Sequence, residues 1–162
     1  MSTSITTRAA VPEDVHLIAL LIKELAIYQK QEDSCVSSSK AIHDALFTAN
    51  PSAEVIIGEL NGEAVGFALF FHNYSTFLGK KGLNLEDLFV LPSARGNGIG
   101  KLLLQSLAKI ADERGCARME WLVLDWNAPS IAFYRSLGAH PMEGWSTFRM
   151  GSEAIVALAG TN

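Results

Sequence analysis

The segment LNLEDLFVLPSARGNGIGK, residues 83–101, constrains this chain more than any other. Residues 83–91 carry large apolar side chains and read as a buried strand. Residues 92–100 form a glycine-rich turn with one arginine, and KLLLQSLAKIADERG follows with Leu102, Leu103, Leu107 and Ile110 at helical spacing. A strand that enters a glycine turn and leaves as a helix presents free backbone N–H groups at a helix N-terminus, where the dipole favours anions. The ligand expected there carries phosphate. Two phosphate motifs fail on named residues. A dinucleotide fingerprint needs a third glycine where Lys101 stands, and a P-loop needs glycine at Arg95 and a hydroxyl residue at Leu102.

The remaining pattern, Arg95-x-x-Gly98-x-Gly100, resembles the Arg/Gln-x-x-Gly-x-Gly/Ala pyrophosphate motif of the GNAT N-acetyltransferases. Four further segments agree in order with one branch of that superfamily. IKELAIYQ (22–29), LEDLFV (85–90), WNAPSIAFY (126–134) and EGW (143–145) resemble the spermidine/spermine acetyltransferases and their thialysine-acetylating relatives. The resemblance spans essentially the whole chain.

Bulk properties agree with a single domain over residues 1–162, with 49% hydrophobic and 19% charged residues. A net charge of -4 argues against a nucleic-acid partner, and the longest uncharged apolar run, 64–71, is too short to span a bilayer. Cys35 and Cys116 lack metal-ligand or redox spacing. With no apolar leader segment at the N-terminus, they read as reduced thiols of a cytoplasmic protein. His16, His43, His72 and His140 are scattered, so no metal site is expected.

In chain order, residues 4–10 read as a strand. Pro12, Glu13 and Asp14 open a helix with Val15, Ile18, Ile22 and Leu25 on its core face, ending near Tyr28. A polar loop follows, then a helix over 39–48. Two strands flank Asn61-Gly62, a strong hairpin signal. After strand 83–91 and its helix come a strand at 117–124, a helix at 130–137 capped by Asn127 and Gly138, and a last strand or strand pair at about 139–150. The predicted architecture is an α/β fold, a mixed central sheet flanked by helices. The crossover helix makes strands 83–91 and 117–124 parallel.

The resemblance implies the GNAT fold, with the sheet splayed between those two strands, acetyl-CoA as cofactor and a primary amine as acceptor. It places the backbone of Leu88, Phe89 and Val90 along the pantetheine arm. The amides of Gly96, Asn97, Gly98, Ile99, Gly100 and Lys101 would hold the pyrophosphate beside Arg95, and Asn127, Ala128, Pro129 and Ser130 would line the far side. It also implies a homodimer.

Attack of an amine on a thioester needs a neutral nucleophile, and an amine of pKa about 10.4 is neutral in only about one molecule in two thousand at pH 7. Glu86 is the candidate base. Strand alternation sets it opposite Asp87, and flanking apolar residues would desolvate it; Glu86 or Asp87 can instead bind the substrate ammonium or a backbone group. Tyr134 matches the family's catalytic tyrosine, placed to protonate the departing thiolate, and its bland reading is an aromatic core pair with Phe133. An oxyanion would need the N–H of Leu88 or Phe89, if the strand bulges there. Acceptor recognition is assigned to Tyr28, Gln29, Glu86, Glu120, Trp121, Leu122, Glu143 and Trp145.

Two positions depart from the polyamine-acetylating pattern: Gln29 stands where an acid is usual, and Leu137 where a basic residue is common. A short diamine or an amino acid such as thialysine or lysine fits these changes. Two rival readings are a peptide or protein amine acetyltransferase and a CoA-binding sensor without turnover.

Overall fold

The computed structural model describes residues 3–160, which fall into two compact units, one running to Leu124 and the other from Asp125. The first unit holds β1 (Ile5–Ala9), α1 (Val15–Tyr28), α2 (Ser39–Leu46), β2 (Glu54–Leu60), β3 (Glu63–Ser75), β4 (Lys80–Val90), α3 (Ile99–Glu113) and β5 (Met119–Trp121). Its sheet has the order β1-β2-β3-β4-β5; the first four strands are antiparallel, and β5 is parallel to β4. This is the mixed sheet with a crossover helix that the sequence predicts.

Local chemistry explains the joints. Asn61 (φ 53°) and Gly62 (φ 85°) both take the left-handed conformation of a two-residue hairpin turn. Arg8 on β1 reaches Glu59 on β2 at 2.7 Å and grips Asp14 through Nη1 and Nη2 at 2.6 and 2.9 Å. Asp14 is buried and also accepts from the Val11 N–H at 2.8 Å, so its carboxyl stays below the usual range. Residues 12–14 are a tight 3-10 turn, and α1 starts at Val15.

The sheet is covered on both faces. Ile57, Phe67 and Phe89 align across β2, β3 and β4 and pack with Ile18, Leu21 and Leu25 of α1. On the other face lies α3, whose stripe is Ile99, Leu103, Leu104, Leu107 and Ala111. The predicted stripe included Leu102 and Ile110, which are only half-buried, because the helix starts at Ile99 and buries that residue first. Gly58 admits this helix: a Cβ there would stand 2.7 Å from Ile99 Cγ2. A fully buried leucine such as Leu103 contributes about 2–5 kcal/mol by the cost of its truncation.

In the second unit, α4 spans Ala128–Ser136 and α5 spans Ser152–Ala159. The strand predicted at 139–150 is absent there, and the predicted strand at 117–124 shrinks to Met119–Trp121. WSTFRM (145–150) has strand-forming composition, but a strand also needs a partner for its N–H and C=O groups. Phe148 is 94% exposed, with no ladder around it. Residues 152–159, small and largely apolar, are helical.

Candidate active site

The site begins at a bulge in β4. Leu85 pairs with Phe70 and Asp87 with the adjacent Leu69, so Glu86 has no partner on β3. The hydrogen bonds carry the same phase change. Leu83 N–H donates to Arg118 O at 3.0 Å, toward β5, whereas Leu91 N–H donates to Val65 O at 2.8 Å, toward β3. Both residues are odd-numbered, and in an unbroken strand they would point the same way. The oxyanion argument expects a bulge at Leu88 or Phe89; it lies instead between Leu85 and Asp87.

Beyond the bulge, β4 loses its other neighbour. Pairing with β5 ends at Leu85 and Trp121, so among the described residues no strand pairs with this β4 edge from there to Val90, and it is open in that sense. With the phase set by Leu91, the backbone groups of Leu88 and Val90 face this open edge, and those of Phe89 bond to β3. Of the three residues assigned to the pantetheine arm, Phe89 therefore contributes packing rather than edge hydrogen bonds; its ring is buried in the core.

The open edge leads into the glycine turn. Gly96 (φ 81°) and Gly98 (φ 84°) both need the left-handed conformation, and Asn97 Nδ2 braces the turn by donating to Ala94 O at 3.0 Å. The first helix-type bond of α3 runs from Leu102 N–H to Gly98 O at 3.0 Å. Among the described residues, the N–H groups of Ile99, Gly100 and Lys101 have no backbone acceptor. Three converging donors at a helix N-terminus fit a pyrophosphate. Arg95 folds back from the turn: its Nε donates to Val90 O at 3.1 Å, and its guanidinium stands 4.7 Å over the Tyr28 ring.

Glu86 is exposed, and the burial expected of it falls on Asp87. The bulge turns Asp87 toward α1. There burial, with the Glu86 charge beside it, pushes its carboxyl up to about 6. A cavity of about 130 Å³ lies over it, with Ile22, Leu25 and Ala26 of α1 as an apolar wall. Gln29, Gln31, Ser34 and Cys35 complete the lining. Sequence reasoning singled out Gln29, named Asp87 only as an alternative to Glu86 in binding the substrate ammonium, and did not assign Gln31 or Cys35 to the site. The available signal was two adjacent acids inside an apolar strand.

The remaining assigned residues of the first unit do not line this cavity. Glu120 Oε2 is 2.9 Å from Arg118 Nε and accepts from Asn73 Nδ2 at 3.4 Å, while Trp121 is half-buried and Leu122 is exposed. In the second unit, Asn127 caps α4 by accepting from the Ser130 N–H at 3.4 Å, with Ala128 and Pro129 in the first turn. Tyr134 lies half-buried on α4 with its ring 5.5 Å from that of Phe133. Glu143 and Trp145 are exposed around Gly144 (φ 81°). Among the described residues, no cluster of metal-ligating side chains occurs and no helix is long and apolar enough to cross a membrane.

A sheet edge left unpaired beyond the bulge, continuous with a helix start whose first N–H groups lack backbone acceptors, suits an extended, phosphate-bearing ligand. The chain belongs to the acetyltransferase (GNAT) family, whose model matches residues 23–139. It is similar to the thialysine N-epsilon-acetyltransferase of Sus scrofa, 36% identical over 97% of this chain and 98% of that protein. The L-ornithine N5-acetyltransferase of Arabidopsis thaliana is 30% identical over 96% of this chain and 88% of its own length. Among solved structures, an integron cassette protein from the mobile metagenome of V. cholerae aligns with a TM-score of 0.80 at 26% identity, over 98% of this chain and 99% of that one.

Proposed function

We propose that this protein transfers the acetyl group of acetyl-CoA to a primary amine of a small molecule by direct attack, both units acting as one acetyltransferase domain. The observation that carries the reading is the open β4 edge running into the three unpaired N–H groups of the glycine turn. Acetyl-CoA supplies a thioester-activated acetyl group. The backbone of Leu88 and Val90 suits its amide-bearing arm as an added strand, and the N–H groups of Ile99, Gly100 and Lys101 suit its pyrophosphate, within the turn built by Gly96, Asn97 and Gly98.

The chain's own groups have distinct tasks. Glu86, exposed at the bulge, takes a proton from the amine, directly or through water. The Leu88 N–H, directed to the open edge, donates to the oxygen on which charge develops. The Tyr134 hydroxyl returns a proton to the departing sulfur, an assignment supported by its match to the family pattern. Tyr28, Gln29, Glu120, Trp121, Leu122, Glu143 and Trp145 are the proposed acceptor surroundings, with Asn127, Ala128, Pro129 and Ser130 flanking the cofactor. A cavity of about 130 Å³ favours a small amine over a peptide. A homodimer is part of the proposal, supported by the exposed Trp145, Phe148 and Met150, which suit cover by a second copy. We place the enzyme in the cytoplasm, acting without nucleic acid or membrane.

The test is CoA release from acetyl-CoA across spermidine, spermine, putrescine, thialysine, lysine and a lysine-containing peptide. Selective turnover of a small amine is the expected result. Tight acetyl-CoA binding with no turnover on any acceptor would favour the sensor reading.

A further inference from the structure

Arg95 belongs to the glycine turn by its backbone and to α1 by its side chain. Asn97 Nδ2 donates to Arg95 O at 3.3 Å, which ties the arginine backbone into the turn around Gly96 and Gly98. The guanidinium lies over the Tyr28 ring with the Phe89 ring beside it, and those two rings meet at 6.4 Å with their planes 52° apart. Among the described residues, Nε is the one hydrogen-bonded nitrogen of this side chain, and the two Nη groups have no partner. A guanidinium stacks through its face and donates from its edge, so the stack leaves the Nη edge free to meet an anion.

The far end of the stack is part of the cavity wall. Tyr28 closes α1, and the Gln29 N–H returns to Leu25 O at 2.9 Å, so Tyr28 moves with the helical turn that carries Leu25, Ala26 and Gln29. Those three residues line the cavity over Asp87. The helix stops there, with Lys30 at φ 58° and the Gln31 N–H closing on Ala26 O at 2.9 Å. Helix ends open locally at low cost, so a contact that holds this one changes how often the cavity is formed.

Resting on the acetyltransferase reading, we propose that Arg95 is a positioning residue that couples the glycine turn to the acceptor cavity. A diphosphate in the turn fixes the Nη edge, the fixed guanidinium holds Tyr28, and the held end of α1 keeps the cavity formed. The coupling is positive: a filled turn favours acceptor binding.

ADP tests this, because it carries the diphosphate of CoA without the arm that could touch α1 directly. Hydrogen exchange is read at the amides of Gln29, Lys30 and Gln31, which close the end of α1, with α2 as the reference for general stabilisation by a ligand. Saturating ADP should slow these three amides about fivefold or more relative to α2 in wild type. Tyr28→Phe keeps the ring and should keep the effect. Tyr28→Leu, and Arg95→Lys with its charge retained, should still bind ADP through the backbone N–H groups but lose it. The double variant should do no more than either single one. At saturating acetyl-CoA, Tyr28→Leu and Arg95→Lys should raise the KM for the acceptor more than they lower kcat. Absence of slowing in wild type overturns the proposal, as does equal slowing in Tyr28→Leu or in Arg95→Lys. If CoA binds and no amine is acetylated, the amine-transfer reading fails separately, and the exchange result still decides the coupling.

Discussion

The Arg95 guanidinium stands 4.7 Å above the Tyr28 ring and 5.6 Å from that of Phe89, while its Nε donates to Val90 O at 3.1 Å. One side chain thus joins the glycine turn, the last residue of α1 and the end of β4. Stacking on an aromatic face contributes about 0.5–2 kcal/mol, and the hydrogen bond sets the direction from which the turn leaves the strand.

Arg95→Ala should raise the KM for acetyl-CoA about tenfold and lower the melting temperature by a few degrees. Arg95→Lys should recover little, because an ammonium cannot stack and donate along the same plane. Calorimetric titration with CoA beside kinetics would check this; wild-type affinity in Arg95→Ala would remove the residue from the cofactor site.

Gly98 is the N-cap of α3 at φ 84°, with Ile5 Cδ1 3.6 Å from where a Cβ would lie. Space is available, so the constraint is the backbone conformation. Gly98→Ala should cost about 1–2 kcal/mol in stability and weaken CoA binding, since relief of the strain would turn the unpaired N–H groups away. Gly98→Asn, which tolerates this conformation better, should lose less of both. Equal losses for the two variants would argue for a steric cause instead.

Tyr134→Phe should lower kcat by at least tenfold and leave the KM for acetyl-CoA close to wild type. The variant keeps the ring contact with Phe133 and removes only the hydroxyl. The rate should recover with an acceptor-independent thiol leaving group of lower pKa. Equal loss in kcat and in acetyl-CoA affinity would make the tyrosine a packing residue.

Local signals carried most of the fold. The Asn61-Gly62 hairpin, the positive-φ glycines at 96 and 98, and the crossover from β4 to β5 each follow from a few neighbouring residues. The bulge at Glu86 does not, because a bulge is a mismatch between two strands and LEDL reads the same with or without it. That one unpaired residue exchanged the expected environments of Glu86 and Asp87. The segment 145–150 shows the same limit: its composition forms strands, but only a partner makes one.

Asp87 also gives the fold a pH signature. Its carboxyl rises from an ordinary 3.8 to about 6, first through burial and then through the Glu86 charge. Cys35, across the cavity, is the other ionisable side chain lining it. Because the folded state holds this proton more tightly than the unfolded chain, the group's contribution to stability is greatest below pH 4. It is lost as pH rises toward 6 and beyond. At pH 7 the ionised carboxylate costs on the order of 2 kcal/mol, which Asp87→Asn should remove. The variant should therefore melt roughly 5 °C higher than wild type at pH 7, with the gap closing near pH 4. Glu86→Gln should narrow the gap by removing the second cause. A difference in melting temperature that stays constant from pH 4 to 7 would mean that Asp87 does not titrate in this window, and that its burial is relieved in solution.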